Sequence, residues 1–264
     1  MPLAPAQDKG FRPPPKFVGG GKPDQAEGAK ILAEFRQMGI AGTYWLAFEL
    51  RVMPRKGAER TVAGEIVGRP GVRGPVTRLS VDRQRWLIQG GTDAAVWRAE
   101  AGSPPQALTP VESLQPVAGT DLTPFDLQMP FLNWTDFVYE GLTRARGRPA
   151  HSFVLYPPKE LAAVRPDLTG VRVLIDTQFE KLMQAEMLGG KGTAEKTISL
   201  LDLKKVGEQW IVKSLDLVNN LTRDKTRFNV TAAALGLELP GTAFEAAALS
   251  GVAPAIPAEK IVRF

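Results

Sequence analysis

The run TYWLAFELRVM, residues 43–53, alternates between two faces with a period of two. Tyr44, Leu46, Phe48, Leu50 and Val52 share one face; Trp45, Ala47, Glu49, Arg51 and Met53 share the other. That period belongs to a half-buried strand and not to a helix. Further strand-like runs follow at Thr61–Val67, Thr77–Val81, Arg85–Gln89 and Ala94–Ala99. Turn-forming clusters such as Arg69-Pro70-Gly71 and Gly90-Gly91 stand between them, with no helical stretch. Closely spaced strands without intervening helices predict an antiparallel meander.

Upstream, Asp24–Met38 reads as an amphipathic helix. Asp24 with Glu27 suits a capping box, Ile31, Leu32, Phe35 and Met38 fall on one face, and Gly39 is placed to end it. Residues 1–23 carry Pro13-Pro14-Pro15 and Gly19-Gly20-Gly21 with few apolar side chains, which predicts a flexible arm.

Downstream, more strands are expected at Phe137–Arg144, His151–Tyr156, Val171–Ile175, Phe179–Leu188, Thr197–Leu203, Gln209–Val218 and Thr226–Thr231. Lys159–Val164 suits one helical turn, Gly189-Gly190-Lys191-Gly192 a tight turn, and Ala243–Leu249 a short helix before a C-terminal tail. The organisation predicted is an arm at 1–23, one domain at 24–240 and a short helix with tail at 241–264. Its class is α+β and β-dominated: a curled antiparallel sheet, or half-barrel, covered by a few helices.

Between the two sets of strands lies TDLTPFDLQMPFLNWTDFVYEG, residues 120–141. Thr123 is a good N-cap, Pro124 suits the first helical position, and Asp126 favours the positive end of the dipole. Pro130 then interrupts the helix. Two readings of this apolar, broken helix stand side by side: a lid over an apolar cavity, or a plug completing an ordinary core. Under the lid reading the ligand-binding wall comprises Tyr44, Leu46, Phe48 and Leu50, the longest uninterrupted apolar face. Phe125, Leu127, Phe131 and Trp134 join them from the cover.

Composition narrows the chemistry. The 264 residues are 44% hydrophobic and 23% charged, with a formal net charge of +5. Lys and Arg are scattered among acids, which argues against a nucleic-acid surface. There is no cysteine, so neither a disulfide nor a thiolate metal site is possible. His151 is the single histidine, with no GxSxG elbow, Walker loop or dinucleotide fingerprint elsewhere. No catalytic residue, metal site or cofactor is assigned, and the chain is read as a non-enzyme. Arg144, Arg146 and Arg148 read first as a solvated strand face and second as a contact for an acidic partner or lipid headgroup. The start MPLAPAQDKG has no basic segment leading into an apolar one, so an envelope location assumes that an export signal has been removed.

The segment ISLLDLKKVGEQWIVKSLDLVNNLTRDKTRFNV, residues 198–230, resembles the C-terminal part of the outer-membrane lipoprotein-sorting-protein-like family through Gly207, Trp210, Ile211, Lys213, Thr226 and Phe228. Asp121, Phe125, Asp126, Leu127, Trp134, Asp136 and Tyr139-Glu140-Gly141 resemble its central region. The resemblance spans about residues 26–232 and implies a fold similar to the Lol carriers, with acyl chains of a lipid or lipoprotein held between sheet and helices. It also implies a periplasmic or cell-envelope protein, an envelope membrane or receptor as partner, and an arginine that holds the lid closed. Arg69, in Arg69-Pro70, resembles that lid contact. Beside this carrier reading stand a protein-interaction or sensor domain with a packed interior, and a hydrolase built on His151 or scattered carboxylates.

Overall fold

The computed structural model describes residues 11–17, 21–91, 93–100 and 102–264. Helix α1, Gln25–Gln37, is capped by the Asp24 carboxylate, which accepts from the Ala26 N–H at 2.8 Å. It stops where Met38 turns to extended backbone, so Gly39 is not the cap expected of it. Strands β1 (Thr43–Met53), β2 (Arg60–Arg69), β3 (Val76–Val81), β4 (Gln84–Gln89), β5 (Ala95–Glu100) and β6 (Gln106–Ala107) form the predicted meander. The connection that follows contains α2, Pro124–Gln128, and a 3-10 turn at Pro130–Asn133. A second meander then comprises β7 (Phe137–Ala145), β8 (Arg148–Leu155), β9 (Gly170–Asp176), β10 (Leu182–Leu188), β11 (Ala194–Val206), β12 (Gln209–Asn219) and β13 (Lys225–Leu237). Helix α3, Lys159–Val164, lies between β8 and β9, and β14, Val262–Arg263, ends the chain.

The fourteen strands of the described residues belong to one antiparallel sheet, and twelve of them match the strand-like runs read from the sequence. Its order is β6-β5-β4-β3-β2-β1-β13-β12-β11-β10-β9-β8-β7, with β14 paired to β13. The two meanders join through β1 and β13, and β6 and β7 are the two outer strands of an unclosed, curled sheet. Bulges at Ala47/Phe48, Tyr139/Gly141 and Leu200–Leu203 add local bend. Glycines help on the inner face: Gly64 lies opposite Phe48 and Gly68 opposite Tyr44, and each aromatic ring fills the space that a Cβ would need.

This order forces the central connection across the sheet. The chain leaves β6 at one edge and must reach β7 at the other, so residues 108–136 cross the concave face. Val117, Leu122, Phe125, Phe131 and Trp134 from that crossing share one core with Leu32 of α1 and with inward side chains of nearly every long strand. Thr123 and Asp126 form a complete capping box at the start of α2. Met129 then adopts φ 45°, and Pro130 opens the 3-10 turn, which is the break that the proline predicts.

The convex face is covered by the chain's ends. Ala243, Phe244 and Leu249 pack against Trp45, Val67, Val76 and Leu87; the expected helix at 243–249 is two 3-10 turns, Gly241–Phe244 and Ala246–Ser250. Of the arm expected to be flexible, residues 1–10 and 18–20 lie outside the described residues. Residues 11–17 are held against the sheet: Arg12 makes two bonds of 2.7 and 2.8 Å to Asp136, and the Tyr156 hydroxyl donates to the Pro13 carbonyl at 2.9 Å. The Lys16 N–H donates at 2.7 Å to Glu140, a buried carboxylate that also takes bonds of 2.9 and 3.1 Å from Arg172. Pairing is what allows these charges to be buried.

Gly28 in α1 faces the Tyr139 side chain so closely that a methyl group there would overlap it. Gly28→Ala, which ordinarily favours a helix by about 1 kcal/mol, is therefore expected to destabilise the fold by roughly 1–3 kcal/mol in denaturant titration. Acid is expected to act through Asp176 and Asp216. Burial raises both carboxyls, but Arg148 with the Phe179 and Gln178 N–H groups at Asp176, and Arg227 with Lys225 at Asp216, together outweigh it and hold both below the ordinary value. Their contribution is complete above about pH 4 and is lost as pH falls through the lowered folded values. The thermal midpoint should fall on acidification below about pH 4, and less steeply in Asp216→Asn.

Candidate functional site

An apolar cavity of about 300 Å³ remains at one end of the concave face. Its wall has three parts. Phe35, Met38 and Ile40 come from the C-terminal end of α1 and the loop after it. Met129 and Leu132 come from the crossing segment, on either side of Pro130. The floor is Leu46 of β1 with Leu182, Ile198, Ile211, Leu215 and Phe228 of β10–β13. Lys181 is the only charged residue among those lining it. The volume is at the lower end of the range for ligand pockets, roughly 300–1,000 Å³.

The cavity is where packing is interrupted. Helix α1 ends above it, and the β11 bulges between Leu200 and Leu203 re-aim side chains beside it. Only Leu46 of the predicted wall lines it. Tyr44, Phe48 and Leu50 lie on the same inner face, as the alternation of β1 requires, but are packed into the core. Phe48 and Leu50 are 2% and 0% exposed, and Phe48 stacks at 4.7 Å on Phe228, which does reach the cavity.

The crossing segment divides in the same way. Phe125, Phe131 and Trp134 form a buried chain of rings with centroids 6.1 and 6.3 Å apart, and Leu127 packs on the same core. These side chains fill the sheet, while Met129 and Leu132 supply the cavity wall. One stretch thus contains both a plug and a cover, at different residues.

Arg69 is not where the resemblance implies. Alternation along β2 sends Ile66 to the concave core and Val67 to the convex one, and Arg69 stays on the convex side with its guanidinium 4.5 Å from the Phe244 ring. The arginine that ties the cover down is Arg36 in the last turn of α1. It donates to the carbonyls of Leu132 and Trp134, the latter at 3.0 Å. The signal for it was a cation beside Phe35 on the apolar side of a helix end. Lys196 of β11 provides a second tie, donating to Asp126, whose carboxylate also accepts from Thr123 N–H at 2.9 Å and Thr123 Oγ1 at 2.7 Å. A third bond of 3.0 Å runs from Gln128 to the Gln89 carbonyl.

The mouth has a different character. Trp210 and Met38 are 45% and 44% exposed. Phe179 lies 6.0 Å from Trp210, on the turn between β9 and β10. Asp176 shapes that turn by accepting from the N–H groups of Gln178 and Phe179, each at 2.8 Å. Arg146 and Arg148 reach this rim, whereas Arg144 does not line it.

His151 is engaged elsewhere. Its Nδ1 lies 2.8 Å from the Tyr139 hydroxyl, and burial lowers its pKa, favouring the neutral ring. Among the described residues no group of three or more histidines or acids is arranged to hold a metal. No helix of the described residues is long and apolar enough to cross a membrane.

No protein-family model and no curated protein matches this sequence. Solved structures do match. A putative outer membrane lipoprotein-sorting protein domain from Vibrio parahaemolyticus superposes with TM-score 0.76 at 15% identity, over 86% of this chain and 100% of that one. A DUF1329 family protein from Desulfovibrio piger gives 0.74 at 13% identity, over 85% and 98%. The LolA superfamily protein NE2245 from Nitrosomonas europaea gives 0.60 at 13% identity, over 82% and 96%. At these identities the likeness is one of fold. It agrees with the unclosed, curled antiparallel sheet and few helices described above. The chain has the Lol carrier-like fold of outer-membrane lipoprotein-sorting domains.

Proposed function

We propose that this protein binds an acyl chain of a lipid or lipoprotein in the cavity between α1, the crossing segment and β10–β13, as a non-enzymatic carrier of the cell envelope. The observation that supports this most is the cavity itself: about 300 Å³, with a single charged residue on an otherwise apolar lining. An interaction domain with a packed interior has no use for such a space. Each acyl methylene moved into it from water contributes about 0.8 kcal/mol, against which stand the costs of association and of ordering the chain. Affinity on this reading comes from chain length and not from directional bonds.

The cover supports the same reading. Arg36 and Lys196 hold it by polar contacts made at its margins, and the cavity-facing side chains Met129 and Leu132 are flexible, unbranched or γ-branched residues that adapt to a chain. The exposed Trp210 and Met38 at the mouth give an apolar approach for a chain leaving a membrane or another protein. An envelope location and a membrane or receptor that supplies and receives the chain follow from this reading.

Filling the cavity tests it. Leu215→Trp places a large ring on the cavity floor and leaves the Phe125–Phe131–Trp134 side chains themselves unaltered. The variant is expected to unfold as cooperatively as the parent and to lose displacement of an apolar fluorescent dye by long-chain lipids. Full uptake by a folded variant would move the ligand to another place on the molecule.

A further inference from the structure

The apolar cavity opens beside a second recess, and the residues shared by the two point to the kind of lipid that fits. Lys181, Met183, Leu200 and Trp210 line both. Beyond them the second recess is walled by Arg146, Arg148, Asp176, Phe179 and Asp202. Its polar groups are unequally matched. Arg148 is paired with Asp176 at 2.7 Å, so those two charges offset each other. Asp202 accepts from the Leu203 N–H at 2.8 Å and has no ion-pair partner among the described residues. Arg146 spends one N–H on the Leu200 carbonyl at 2.7 Å and faces no carboxylate within ion-pair distance among the described residues. Lys181 has no partner of either kind among them.

Two unpaired cations against one carboxylate leave this recess positive, at the single point where the apolar cavity meets a charged side chain. A methylene chain lying in the cavity would pass Lys181 on its way out. An ammonium beside methylenes is costly unless it is matched by a counter-charge or by water. A guanidinium with free N–H groups suits phosphate or carboxylate oxygens, and the half-exposed Trp210 ring lines the recess beside it, whereas Phe179 already carries the Arg148 guanidinium 4.7 Å from its ring.

We infer that the ligand is an amphiphile with an anionic headgroup, whose head is received by Lys181 and Arg146 while its chain fills the apolar cavity. The inference rests on the acyl-binding reading above and names the substrate class within it.

The test uses the full chain and four ligands with one common oleoyl chain: lysophosphatidic acid, oleate, lysophosphatidylcholine and monoolein. Each competes against a neutral apolar dye at low ionic strength. Lysophosphatidic acid and oleate are expected to bind roughly tenfold more tightly than the zwitterionic lysophosphatidylcholine and the neutral monoolein, the size of one charge-assisted hydrogen bond, with the gap closing as salt is added. The order of lysophosphatidic acid and oleate then identifies which anionic head is preferred. In the Lys181→Gln/Arg146→Gln double variant the gap should vanish, with lysophosphatidic acid and oleate binding no more tightly than monoolein does to the same variant. Equal binding of all four ligands by the parent, or a gap that persists in the double variant, would overturn the headgroup assignment while leaving acyl binding intact. Failure of every ligand, monoolein included, would overturn both.

Discussion

A sheet that is built as two meanders and joined in its middle leaves the chain with one unavoidable journey. Strand β6 ends at one edge and β7 begins at the other, so the connection must cross the concave face. A loop buried in such a place needs apolar side chains to fill the sheet and partners for its own backbone. Residues 117–134 meet both needs. Phe125, Phe131 and Trp134 supply the filling, and the Thr123–Asp126 box and the Arg36 guanidinium take up exposed backbone groups. The broken helix is thus a consequence of strand order.

That constraint also explains why a cavity exists and where it lies. The crossing segment and α1 together cover a curled sheet that is wider than either. The large rings are spent along the middle of the crossing, and the 3-10 turn after Pro130 presents only Met129 and Leu132 to the end of the sheet where α1 stops and β11 bulges. Polar ties cluster at the margins of the cover. Asp126–Lys196 is mostly buried, and losing one partner of such a pair costs more than losing an exposed one, so this end of the cover is firmly tied.

Most of the fold was legible in the residues. The period of two in Thr43–Met53, the turn clusters and the absence of intervening helices pointed to an antiparallel meander, and Thr123-Pro124 with Pro130 marked a short, broken helix. The count of strands was low because β6 and β14 are two-residue pairings that alternation cannot register. The cavity was legible only in part. The longest apolar face of β1 does point inward, but long and uninterrupted is also what packs best, so Phe48 and Leu50 became core and only Leu46 reached the empty space. Its other walls come from bulges and a helix end, and both depend on pairing register between residues far apart in the chain. Arg69 was misplaced for a simpler reason: an Arg-Pro pair carries no sign of which face its strand register selects.

An acyl chain held in the space beside Lys181 and Leu215, as proposed, would travel with the protein through purification. Native mass spectrometry of the protein isolated from cells, before and after lipid extraction, reads this out. The expected result is a bound mass equal to one lipid species, lost on extraction and restored by adding the lipid back. A protein that shows only its own mass in every state, and takes up no lipid when offered it, would contradict the account.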